Sequence, residues 1–319
     1  MFGRILLATI TTLVGCSSAW AQYPERPIKL IVPYAPGGSA DIVARMINDE
    51  WGKALGRPMV IENRGGAGGN VGVDAVAKSI PDGYTIGLQT VSLAINPALV
   101  SKMPYDTLKD LAPISMVASS QHVLVVNNQV PAQNVKELVA LAKSKPGEMS
   151  YASAGPGSTF HMAAELFKAV GGLNIVHVPY RGGGPALIDT ISGQVQMSFP
   201  VLSAARGQVE GGKIRALGVT GPKRSPLMPE TPTIAEAGLP NYAFETWFMV
   251  FAPAGTPKSV MDKLNETLGK VLTSPSVTAR MTREGFEATP SSASEARARL
   301  EVEMPQWAKL IKERGITIE

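Results

Sequence analysis

The sequence predicts an α/β protein built as two units. Short apolar runs alternate with helix-period segments from residue 28 onward, and the alternation resumes in the middle of the chain. The strand-to-helix junctions in both stretches are rich in glycine. The length of 319 residues agrees, because one domain usually takes ~100–200.

Residues 28–32 form a continuous apolar strand broken only by Lys29. Residues 39–55 follow as a helix, with Val43, Met46, Ile47, Trp51, Ala54 and Leu55 as its apolar stripe. Gly56 stands where a C-terminal cap belongs. Residues 59–62 read as the next strand, 69–78 as a small-residue helix and 85–88 as a third strand. This βαβαβ order argues for a parallel, doubly wound sheet. The second unit reads as a helix over 135–145, a strand over 149–152 and a helix over 159–170. A strand over 175–178, a helix over 185–192 and a strand over 197–199 come next, then a helix over 204–211 and a strand over 214–219. A Pro-rich connection runs through Pro222, Pro226, Pro229 and Pro232. After a strand over 246–252 the chain is helical to its end, with a kink expected at Pro305. Crossings between units are placed near Gln121 and Phe244. One lobe then takes residues 22–121 and 245–319, and the other 122–244.

Composition narrows the function. The chain has a net charge of +4, and its 30 basic residues form no run of five, so nucleic acid is not an expected partner. The one cysteine excludes an internal disulfide and a Cys-rich zinc site. That cysteine lies in an expected signal peptide, residues 1–21. Arg4 precedes an apolar run over 5–14, too short for a membrane span of ~20 residues, and Ala19-Trp20-Ala21 gives a small-x-small cleavage site. Leu13-Val14-Gly15-Cys16 also resembles a lipobox. Soluble export and a lipid anchor through Cys16 both remain open, and both place the domain outside the cytoplasm.

Four turns then stand out, each between a strand end and a helix start. They are residues 33–41, 63–70, 153–159 and 179–185. Any one of them is an ordinary βα turn. Four on the edge where open α/β sheets bind ligands suggest a site, with unpaired helix-start N–H groups favouring an anion. Ser39, Asp41, Ser158 and Thr159 also suit helix capping, and Asp41 can pair with Arg45. Arg64 and Arg181 sit in these turns and could face an anion. Trp247 reads as a core aromatic, with a ligand wall or hinge contact as the alternative.

Nucleotide motifs fail. G-x-G-x-x-G is broken by Val71 in one turn and by Phe160 in another. Gly207–Lys213 satisfies G-x-x-x-x-G-K, but Ile214 follows and the segment reads as helix. No metal or cofactor set is present in the sequence pattern. Ser158 and His161 are one helical turn apart, so a hydrolase pair is conceivable, but no acid is evident to orient the histidine. His161 otherwise suits a polar pocket wall, while His122 and His177 read as structural.

The ordered motifs together resemble the solute-binding proteins of the tripartite tricarboxylate transporter system, the Bug family. The resemblance rests on Tyr23-Pro24-Glu25-Arg26-Pro27-Ile28, the 33–41 turn with Arg45, and Glu62-Asn63-Arg64-Gly65-Gly66-Ala67-Gly68-Gly69. Pro81-Asp82-Gly83-Tyr84-Thr85, Ser153-Ala154-Gly155-Pro156-Gly157-Ser158-Thr159-Phe160-His161, Val178-Pro179-Tyr180-Arg181-Gly182-Gly183 and Ala252-Pro253-Ala254-Gly255-Thr256-Pro257 complete it. It implies a two-lobed periplasmic binding protein of type II, a Venus flytrap, each lobe a doubly wound sheet with helices on both faces. It implies a binding protein rather than an enzyme, working as a monomer without cofactor. Its partners would be a small organic mono- or dicarboxylate and membrane transporter subunits; a sensor kinase is the alternative recipient.

Carried over by motif, the first-lobe ligand contacts are Tyr34, Ala35, Gly38 and Ser39, and Thr90 and Ser92 join them on position alone. The second-lobe contacts are Ser153, Gly157, Ser158, Thr159, His161, Tyr180 and Arg181. Amino-acid-binding relatives often carry an acid after the strand that here reads Met197-Ser198-Phe199-Pro200. Its absence favours a carboxylate without an amino group.

Overall fold

The computed structural model describes residues 23–180 and 182–317. The expected signal peptide, Cys16 and Arg181 lie outside the described residues. The elements are β1 (Ile28–Val32), α1 (Ser39–Leu55), β2 (Met59–Asn63), α2 (Asn70–Ala77), β3 (Thr85–Thr90), α3 (Ser92–Leu99), β4 (Leu111–Gln121) and β5 (Val123–Asn127). They continue as α4 (Val135–Ser144), β6 (Ser150–Ser153), α5 (Thr159–Gly171), β7 (Val176–Pro179), α6 (Gly183–Ser192), β8 (Met197–Ser198), α7 (Leu202–Glu210) and β9 (Ile214–Val219). The C-terminal part holds β10 (Glu245–Pro253), α8 (Lys258–Leu272), α9 (Pro275–Arg283), β11 (Glu287–Ala288) and α10 (Ala293–Arg314).

Two sheets result. The larger has the order β11-β4-β10-β3-β1-β2 and the smaller β7-β6-β8-β5-β9. Each has a parallel heart, β2-β1-β3 in one and β7-β6-β8 in the other. Neither is wholly parallel, which corrects the sequence expectation. β10 runs antiparallel to β3 and β4, and β5 runs antiparallel to β8 and β9. The cause is connectivity: β4 to β5 and the entry of β10 carry the chain between the sheets, so these strands do not follow a crossover helix.

Alternate side chains of the strands feed different cores. Leu30, Val32, Ile86 and Leu88 belong to one apolar cluster with residues of α1 and α8, while Ile31, on the opposite face, belongs to another with Val73 and Val76 of α2. In the smaller sheet, Leu124 and Val126 face α4 and α5, and Val123 and Val125 face Leu187 and Leu202 of α6 and α7. Helices therefore cover both faces of both sheets. One apolar cluster, which includes Trp247, Tyr242, Phe244 and Trp307, runs continuously from one sheet to the other.

β4, β5, α3 and β11 were not foreseen. β4 reads LAPISMVASSQ, almost wholly buried, with Pro113 inside it, so it lacks the alternation that marks a strand. α3 has eight residues and contains Pro97. α10 continues helical through Pro305, where a kink was expected.

The first crossing is anchored by His122, which lies between β4 and β5 and is fully buried. Its Nδ1 is 2.8 Å from the Phe199 carbonyl and must donate to it, which leaves Nε2 to accept from Thr246 Oγ1 at 3.0 Å. Burial pulls its titration from 6.5 down to about 4, so the ring is neutral at physiological pH.

Candidate functional site

The glycine-rich turns gather at the C-terminal edges of the parallel strands. After β1, the 33–38 turn leaves Ala35, Gly38 and Ser39 exposed and Tyr34 half-buried. Gly38 caps α1 with no side-chain hydrogen bond. The N–H groups of Ser39 and Ala40 are thus without partners among the described residues, as helix-start groups are unless capped.

Asp41 holds this turn from below. Its buried carboxylate accepts from Gly37 N at 2.9 Å, Arg45 Nε at 2.8 Å and Asn63 Nδ2 at 2.9 Å. Asn63 also donates to the Tyr34 carbonyl at 3.1 Å. The Arg45 hydrogen bond leads the forces that pull the Asp41 carboxyl down to about 2. Asp41 is structural here, paired with Arg45.

Thr90 and Ser92, at the end of β3, reach the same place. Tyr34 OH is 3.0 Å from Thr90 Oγ1, which donates to Ser92 Oγ at 3.2 Å. Gln89, which the sequence reading missed, is fully buried below them. Its Oε1 accepts from Thr90 N at 2.7 Å, and its Nε2 has no partner among the described residues. Nothing in the sequence marks Gln89 beyond its place beside Thr90.

In the smaller sheet, the turn after β6 lies against the turn after β7, where Tyr180 N donates to the Ser153 carbonyl at 3.0 Å. Ser158 Oγ accepts from His161 N at 3.3 Å and so caps α5. Thr159 N and Phe160 N have no partners among the described residues. Among the described residues the start of α6 has no side-chain cap either. Tyr180 OH donates to Asp189 at 2.7 Å; burial first, then this contact, pushes it up to about 12.

Ser153 and His161 lie beneath the turn, both buried. Ser153 Oγ accepts from Gly155 N at 3.1 Å and is 2.6 Å from His177 Nε2. Gly157 N donates to His161 Nδ1 at 3.0 Å. This geometry dismantles the Ser158–His161 hydrolase pair: the Ser158 hydroxyl caps a backbone N–H, and the histidine lone pair that would serve it is occupied by Gly157. Trp247 is fully buried and donates to Glu303 Oε2 at 2.8 Å, so it is a core residue. Arg64 is exposed.

Both edges meet at the crossings. Thr90 pairs with Phe248 of β10. Two residues earlier, Thr246 contacts His122, whose ring lies 5.6 Å from that of Phe160 in the first turn of α5. Among the described residues no group of His, Cys, Asp and Glu is arranged to hold a metal ion, and no helix is long and apolar enough to cross a membrane.

Residues 43–316 match the family described as tripartite tricarboxylate transporter family receptor. The chain belongs to this family. It is 37% identical over 321 residues to the protein BugT of Bordetella pertussis, covering 98% of each chain. Among solved structures, Rpa4515 of R. palustris with adipate superposes with a TM-score of 0.79 at 37% identity, over 92% of this chain and 99% of that one. MatC of Rhodopseudomonas palustris with bound malate gives 0.74 at 30% identity, over 91% of this chain and all of that one. The architecture is that of the periplasmic binding proteins in this family. The receptor is a solute-binding protein, not an enzyme.

Proposed function

We propose that the receptor works outside the cytoplasm, captures a small organic carboxylate between two lobes and delivers it to membrane transporter subunits. The first lobe takes residues 22–121 and 245–319, the second 122–244. The observation that carries this reading is the pair of glycine-rich helix starts, one on each sheet, that carry unpartnered N–H groups beside the crossings. Such groups receive an anion without a basic side chain, which agrees with a net charge of only +4.

Ligand contacts come from Tyr34, Ala35, Gly38, Ser39, Thr90 and Ser92 on one lobe. Gly157, Ser158, Thr159, Tyr180 and Arg181 serve the other, with Ser153 and His161 supporting the turn. Binding to both lobes favours the closed form, which is the physical basis of capture. The one acid in the first turn, Asp41, is already bound on both oxygens. No carboxylate there is left for a ligand ammonium, so the ligand class is a carboxylate lacking an amino group. The ligands of the two related structures, adipate and malate, fit that class.

The test is a thermal-shift and calorimetry series on protein freed of co-purified ligand, with adipate, malate, citrate and aspartate. Micromolar binding corresponds to about −8 kcal/mol, and ligand at 100 times Kd adds about 2.7 kcal/mol of stability. A shift with adipate or malate and none with aspartate is expected. No shift with any carboxylate would refute the reading.

A further inference from the structure

The two cleft turns are built alike. In each, a glycine at positive φ, Gly37 at 83° and Gly157 at 73°, donates its N–H to a side chain four residues onward. On the first lobe that acceptor is a carboxylate, Asp41. On the second it is a ring nitrogen, His161 Nδ1. In both cases a charged partner stands a further four residues along, Arg45 and Glu165. A carboxylate accepts over a wide pH range, but a histidine accepts only through an unprotonated nitrogen.

The surroundings of His161 select the required form. Nδ1 faces the Gly157 N–H, so the proton must sit on Nε2, which is 4.0 Å from Glu165 Oε1. Glu165 is itself buried and held by Tyr151 OH at 2.6 Å and Lys168 Nζ at 2.5 Å. The ring stacks on His177 at 4.1 Å between centroids, and His177 stacks on Tyr151 at 4.9 Å. The titratable groups facing His161 are thus Tyr151 of β6, His177 of β7, and Glu165 and Lys168 of α5.

We propose that His161 is a positioning residue for ligand capture: as the neutral Nε2–H tautomer it holds the Gly157 amide and so sets the turn that presents the Thr159 and Phe160 N–H groups to the carboxylate. This rests on the proposed cleft. Protonation of Nδ1 removes the acceptor and sets two N–H groups against each other. Burial, then repulsion from His177, lowers the His161 titration to about 4 against the pull of Glu165, so the pin holds through the neutral range.

The test uses the full chain and has two arms. Without ligand, imidazole ¹⁵N NMR should find His161 protonated on Nε2 only. The Gly157 amide should shift with a midpoint near pH 4, and Glu165→Gln should lower that midpoint. With adipate as the probe at pH 7.5, His161→Leu should weaken binding at least ~10-fold, a loss of ~1.4 kcal/mol. His161→Asn, whose Oδ1 stands where Nδ1 stood, should stay within about threefold of wild type and abolish the Gly157 titration. A proton on Nδ1 at neutral pH, or a Gly157 amide blind to the His161 titration, overturns the proposal. So does an asparagine variant as weak as the leucine one. If wild type binds no carboxylate, the ligand reading fails, while the NMR arm still decides whether His161 pins the turn.

Discussion

Lowering the pH from 7 to 4 should remove about 3 kcal/mol of stability through His122 alone. The unfolded chain protonates this histidine near 6.5, whereas the folded protein resists until about 4. The unfolded state therefore binds the proton first. The contribution is complete above pH ~6.5 and is lost as the pH falls toward 4. At about 1.4 kcal/mol per pH unit between the two titrations, the loss approaches 3 kcal/mol. The ring has no exposure, and both nitrogens are engaged by Phe199 and Thr246, so solvent screening relieves little of it. His161 titrates in the same window, so a variant must isolate the share of His122. His122→Asn keeps a donor toward the Phe199 carbonyl but abandons Thr246, and should cost about 1–3 kcal/mol at pH 7. Its further loss between pH 7 and pH 4 should be about 3 kcal/mol smaller than that of wild type. Urea unfolding followed by tryptophan fluorescence at the two pH values measures both. Equal acid losses in variant and wild type would refute the argument.

Three other substitutions probe the turns. Asp41→Ala strips Gly37, Asn63 and Arg45 of their acceptor and should cost about 2–3 kcal/mol, read as a lower Tm, with weaker adipate binding by calorimetry. The wild-type contribution of this carboxylate, present above pH ~4, should vanish as the pH falls toward 2. Gly69→Ala would put a Cβ 2.5 Å from Gln89 Nε2 at a φ of +94°. It should cost at least ~1 kcal/mol in urea unfolding and reduce adipate affinity by displacing Gln89 beneath Tyr34 and Thr90. Ser158→Ala should cost ~1 kcal/mol of stability through the lost α5 cap, and neither protein should hydrolyse a model ester.

Much of the fold was legible because its signals are local. The 39–55 helix carries its stripe and its Gly56 stop within one segment, and the structure begins and ends it at the same residues. The glycine turns were legible for the same reason. β4 and β5 were not, since a strand buried on both faces has no alternating pattern to read. The i,i+4 spacing of His161 and Glu165 was in the sequence, as was that of Asp41 and Arg45. Only the second pair reads as a contact from sequence, because opposite charges at that spacing attract on any helix, whereas Glu165 comes within 4.0 Å of a neutral His161 ring only in the packed structure.

Sequence alone determined the α/β class, the four glycine turns, the polar groups near them and the family resemblance that spans the chain. These follow from residue type and short-range spacing, which constrain the backbone directly. Tertiary structure decided which polar group meets which. Ser158 and His161 are neighbours on one helical turn, yet the hydroxyl takes the His161 amide and the ring takes Gly157. His177 comes to Ser153 because β7 lies beside β6 with Tyr151 opposite His177, a register set by strands more than twenty residues apart in sequence. Hydrogen bonds are directional and each lone pair serves few donors, so partner choice waits for the packing that orients the side chains.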